Sequence, residues 1–120
     1  MGANYDTDQK AKQAKLDKDV AYQRARDIGD MQKLLHMPEF RRFCWRKMSE
    51  AGIFLTSFTQ NAMTTAYSEG KRIMGLGLLS DLNDADPNAF AQIQREYISE
   101  QKSKEAADKK EEEEVNAKPN

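Results

Sequence analysis

The chain has one cysteine, one histidine and three prolines in 120 residues. A single cysteine cannot form an internal disulfide, so the fold owes nothing to oxidation and fits a reducing compartment. The histidine, His36, stands beside Pro38 with no second His, Cys or carboxylate at ligand spacing. It reads as a surface or capping residue, and no metal-ligand set accompanies it. No apolar run approaches the roughly 18 to 20 residues that span a bilayer. The start, MGANYDTDQK, lacks the basic-then-apolar layout of a secretory leader, and Asp6 stands where the myristoylation pattern requires Ser or Thr. The expectation is a soluble protein, intracellular when made. Nineteen basic residues against twenty acidic give a formal charge of −1, so there is no overall polycationic signal for nucleic acid. There is no period-2 alternation, no Asn-Gly or Asp-Gly turn joining apolar runs, and no internal repeat, so strands are not predicted. No nucleophile has a base within a recognisable motif, and no paired acids sit in an apolar context, so neither an enzyme nor a bound cofactor is predicted.

What is present is helical. Apolar residues thin out before Ile28 and after Ile98, leaving roughly 70 residues to form a core, a size at which stability is marginal. The reading is all-α: a compact three- to four-helix unit with a helical hairpin at its centre and charged terminal arms. The divisions are a charged arm over 1–26, helical or partly disordered, a helical core over 27–98, and a largely solvated charged extension over 99–120. A core of this size implies a partner or further copies of the chain to complete its burial.

In the first arm, Ala and Lys favour helix, and Asp8 with Lys12 forms an opposite-charge pair at the stabilising spacing of four. Its apolar stripe is thin. Ile28, Met31, Leu34 and Leu35 fall at helical spacing, so a short amphipathic helix is expected from Asp27, which would cap it, to the break before Pro38. Pro38 opens the next helix, where a missing N–H is harmless, and Glu39 suits its positive end. Phe40, Phe43, Cys44, Met48 and Ala51 share one face, with Trp45 partly off it. Arg41, Arg42, Arg46 and Lys47 fill the remainder, the densest basic surface in the chain. These cations either meet an anionic partner or pair with Glu39, Glu50 or Glu69. Cys44, on an apolar face without a base, reads as a small core residue.

Gly52 is a natural helix stop. Ile53, Phe54, Leu55 and Phe58 make the following loop unusually apolar, suited to tucking under the core or docking on another chain. Ser57 and Thr59 are suited to bonding the first N–H groups of the next helix. That helix runs from Asn61 or Ala62 to Asn83 or Asp84. Ala62, Ala66, Gly70 and Gly77, with Ile73 in the gap, give it a side that another helix could approach closely. Each interior glycine is unfavourable by about 1 kcal/mol relative to alanine, so Gly70, Gly75 and Gly77 require a packing reason. The run GLGLL has neither the spacing nor the preceding strand of a phosphate loop. Glu69 and Arg72 are expected to pair locally. Asp86-Pro87 marks a restart, with Asp86 expected as the cap and Pro87 in the first turn. Phe90, Ile93, Tyr97 and Ile98 give the last helix a seam that ends near Ser99. The four glutamates from Glu111 belong either to a solubilising tail or to a contact with a basic partner.

The central residues form an ordered pattern. Arg41-Arg42-Phe43 and Trp45-Arg46 lie in the first long helix, and Ala51-Gly52-Ile53-Phe54 and Ser57-Phe58-Thr59 in the hinge. Asn61-Ala62, Thr64-Thr65-Ala66, Tyr67, Glu69-Gly70, Arg72 and Gly75-Leu76 lie in the second, before Asp86-Pro87. Over roughly the middle half of the chain this pattern resembles a family of small tailed-phage proteins, typified by one from a Bordetella podovirus. The resemblance implies a protein encoded among head and tail genes. It would be made in the host cytoplasm and carried in the virion, with portal, tail or internal head proteins, or copies of itself, as partners. No catalytic residue comes with the pattern.

The candidate interaction surface is Arg41, Arg42, Trp45, Arg46, Phe54, Phe58, Lys71 and Arg72. Asn61, Thr64, Thr65 and Glu69, with arginines around the hinge, would form a polar network bracing the two long helices, or else a recognition surface. Two further readings stand beside a structural role. One is a nucleic-acid-binding or packaging factor using a face of Arg41, Arg42, Arg46, Lys47, Lys71 and Arg72. The other is a host-directed binder working through the acidic tail.

Overall fold

The computed structural model describes residues 2–56 and 61–118, with side chains from residue 4 onward. Helices α1 (Gly2–Leu34), α2 (Pro38–Glu50), α3 (Ala62–Ala85) and α4 (Ala89–Ala117) make up the fold, and no strand occurs among the described residues. The protein is all-α.

The break expected at Asp27 is not there. The first arm and the short amphipathic helix are one helix, α1, and Asp27 is an internal residue whose Oδ1 accepts from Gln23 Nε2 at 2.8 Å. Gln13 and Asp17 repeat that spacing of four at 2.8 Å. Such pairs carry the helix through a polar stretch with little propensity to stop. The helix ends at Leu34, and after a short turn Met37 is extended at φ −94°, ψ 121° ahead of Pro38.

Gly52 ends α2 as its position suggested. It adopts φ +74°, a left-handed conformation that a side chain would strain. Its N–H donates to Ser49 O at 3.0 Å, and the N–H of Ile53 reaches Met48 O at 3.3 Å, the paired bonds of a Schellman closure. The N-terminus of α3 is capped by Asn61, whose side chain accepts from the Thr64 N–H at 3.0 Å. Ser57 and Thr59, expected to cap this helix, lie outside the described residues. Between α3 and α4, Asp86 Oδ1 accepts from the Asn88 N–H at 2.9 Å and so shapes the turn. However, α4 begins only at Ala89, behind Asn88, whose side chain makes no cap bond. Asp86 therefore does not cap α4, and Pro87 precedes its first turn.

All four helices contribute to one small core. Leu35, Cys44, Met48, Leu82, Ala85, Ala89 and Ile93 are buried, and Ile28, Met31, Phe40, Trp45, Ile53, Leu78, Leu79 and Phe90 pack around them. Gly75 sits at the closest approach of α3 to the end of α2. A Cβ there would lie 2.5 Å from Ala51 Cβ and 2.6 Å from Ile53 Cγ2. The row of Ala62, Ala66, Gly70 and Gly77 is exposed instead, so no described helix uses the close approach it permits.

Core contacts begin at Arg24 in α1, and α4 is fully solvated after Gln101. The rest of each terminal helix projects. The molecule therefore measures 96 × 41 × 18 Å, with a radius of gyration of 23.3 Å. A compact chain of this length would have a radius of gyration of about 14 Å.

Candidate interaction groove between α2 and α4

Between α2 and α4 lies a groove of about 540 Å³. Phe43, Trp45, Ile93 and Tyr97 give it an apolar floor, and Arg42, Arg46, Glu39, Glu100 and Gln101 form its rim. The floor is held by stacking. The Trp45 ring lies 4.6 Å from Tyr97 and 5.0 Å from Phe54, centroid to centroid, and Phe90 sits 6.2 Å from both Trp45 and Phe54. Aromatic groups from α2, the hinge and α4 thus meet at one point, with separations at which ring pairs attract. This explains why an indole partly off the apolar face of α2 is nonetheless half-buried.

Arg41 is not a surface cation. Its side chain is only 12% exposed. Nε donates to Glu96 Oε1 at 3.0 Å and Oε2 at 2.9 Å, and a terminal N–H donates to Leu35 O at 2.7 Å. One guanidinium therefore ties α2 to α4 and to the end of α1. The Arg41 hydrogen bonds hold the Glu96 carboxyl below its ordinary pKa, and Gln92 adds a smaller effect in the same direction.

The other predicted cations divide between two sides. Arg42 and Arg46 line the α2–α4 groove. The Arg46 guanidinium lies 5.4 Å from the Phe43 ring centre and 3.8 Å from Glu50. Lys47 pairs with Glu50 at 3.1 Å and shares a shallow depression beside α3 with Lys71. Arg72 lies on α3, 3.8 Å from Glu69, the local pair expected from their spacing. The six basic residues do not make a single face, because Arg42 and Lys47 are about 140° apart around α2 at roughly 100° per residue. Glu39, Glu96 and Glu100 in the groove further offset its arginines.

Phe54 is half exposed at the edge of the aromatic cluster, and Phe58 lies outside the described residues. Asn61 and Thr64 bond each other in the α3 cap, Thr65 is half-buried, and Glu69 faces Arg72. Cys44 is fully buried, and burial pushes its thiol up to about 11, so it remains a protonated core group at neutral pH. His36 is exposed on the turn between α1 and α2. No group of three or more His, Cys, Asp or Glu among the described residues could hold a metal ion. Nor is any described helix long and apolar enough to cross a membrane.

Two long-range ties had no signal in sequence spacing. Arg24 of α1 donates to Asp81 at 2.7 Å and also pairs with Asp84, both on α3. The Asp81 and Asp84 hydrogen bonds raise the Arg24 pKa and keep that cation charged. The second tie is Arg41 with Glu96.

Compared with known protein families, curated proteins and solved structures, the chain matches none.

Proposed function

We propose that the chain is a non-enzymatic helical module of a phage particle, which holds a segment of a neighbouring structural protein in the α2–α4 groove. The observation that carries this is the groove itself: a stacked aromatic floor anchored by Trp45, open to solvent and rimmed by both signs of charge. Aromatic and arginine side chains grouped in this way dominate binding energy at protein interfaces. A mixed rim favours a peptide segment carrying both charges over a uniform polyanion such as DNA. The resemblance of the middle half of the chain to small tailed-phage proteins supplies the setting. The small core and projecting arms suit a part that is completed by its neighbours.

The test is cross-linking and mass spectrometry on purified particles carrying either the native chain or Arg46→Glu, a change at the exposed rim. The expected result is cross-links from α2 and α4 to a single structural protein, with a several-fold loss in the variant. Absence of the native chain from purified particles would overturn the reading.

A further inference from the structure

Helix α3 carries an apolar face that none of the described residues covers. Met63 is 84% exposed, Tyr67 68%, Ile73 59% and Met74 77%. With Ala66, Gly70 and Gly77 these residues recur at intervals of three and four. They form a continuous stripe about 120° wide along the helix. The stripe contains no charge. Glu69 borders it on one side and Lys71 on the other, each about 100° from Gly70. Gly70 and Gly77 have open space where a Cβ would be, so they answer to no packing need within the chain. Each is unfavourable by about 1 kcal/mol in a helix interior.

We propose that α3 pairs in parallel with α3 of a second copy, across a two-fold axis running along this stripe. Around such an axis each residue meets its own counterpart at the same height, while the two borders of the stripe exchange sides. Gly70 then faces Gly70 and Gly77 faces Gly77, which lets the backbones approach. Ala66 lies against the second copy's Tyr67, and Ile73 against its Met74, so a small residue meets a large one at the first of these layers. Glu69 of each copy comes beside Lys71 of the other, the flanking charge arrangement that selects parallel pairs. An antiparallel pair would instead place Glu69 near Glu69 and Lys71 near Lys71. The charges therefore choose the orientation.

The stripe from Met63 to Gly77 is about 22 Å long at about 1.5 Å per residue. At a helix width of about 10 Å it covers on the order of 220 Å², well below the roughly 800 Å² per side of a stable interface. The pair is thus expected to form with rising concentration, or where copies are already held close. It leaves the α2–α4 groove open, and it holds whether or not that groove takes a partner.

Sedimentation equilibrium over a range of concentrations tests this on the full chain. The native protein should associate to a dimer. Gly70→Leu should weaken the dimer at least tenfold while leaving the monomer at least as heat-stable, because the new side chain meets open space within one copy. Glu69→Lys should also weaken it, and Glu69→Lys with Lys71→Glu should restore it. Met63→Cys should form a disulfide-linked dimer on mild oxidation, since only the parallel pair brings these positions together. A native chain that stays monomeric at the highest concentration overturns the proposal. So does a dimer that survives Gly70→Leu, or one strengthened by Glu69→Lys, which would signal antiparallel pairing.

Discussion

Arg41 does more for this fold than any other polar side chain described. It is nearly buried and joins three helices through one guanidinium. Replacing it with Met keeps the aliphatic stem but strands Glu96 and Leu35 O. Loss of hydrogen bonds to a charged group predicts a destabilisation of about 2 kcal/mol at neutral pH, measurable by urea unfolding. The pH dependence has a definite sign. The folded-state pKa of Glu96 is lowered, so its stabilising contribution is present above the ordinary carboxylate pKa and is lost as pH falls through the lowered value. The gap between native and Arg41→Met unfolding curves should therefore narrow below about pH 4.5. A gap of constant size down to pH 2 would show that the ion pair is not its source. From sequence, Arg41 was indistinguishable from Arg42. Helical spacing says where a cation projects from its own helix, but not that a glutamate 55 positions later will arrive opposite it. The same limit hid the bond from Arg24 to Asp81.

At the level of elements, some local signals were legible and others were not: the helix start expected at Asp27 is absent, whereas the breaks at Pro38, Gly52 and Asp86 are present. The stop at Gly52, the start at Pro38 and the turn at Asp86 depend on neighbours in the chain. The structure places a Schellman closure, a Pro-led first turn and an Asp-bonded turn at those positions. The glycines of α3 were harder, because propensity marks all three as costly without saying which one faces a neighbour. The structure selects Gly75. An added methyl there would meet Ala51 and Ile53 inside van der Waals distance, and Ala51 belongs to a tight turn with little room to give. Gly75→Ala should lower stability by about 1–2 kcal/mol, since overpacking outweighs the gain in helix propensity. Gly29→Ala in α1, where nothing lies within 4 Å, should raise it by up to about 1 kcal/mol. Thermal melts of the two variants at low protein concentration should move in opposite directions. A shared direction would mean that the α2–α3 contact is looser than its geometry implies.

Over the whole molecule, the division between core and arms sets the unfolding behaviour. The core contains the only tryptophan, so Trp45 fluorescence reports on the helix junction alone, whereas far-ultraviolet ellipticity reports on every helix. The described outer residues of α1 and α4 are exposed, and pairs at a spacing of four, such as Gln13 with Asp17, support α1. Isolated helices of that kind are marginal and melt gradually, while a packed core melts cooperatively. On heating, ellipticity should begin to fall well before fluorescence changes. Removing residues 2–18 and 105–120 should make the two transitions coincide and leave the fluorescence midpoint within about 2 °C, because the described side chains of those segments are exposed. If the two probes already coincide in the intact chain, the arms are held by contacts outside a single copy. Dilution would then separate the transitions, and the arms as well as α3 would have to be counted as assembly surface.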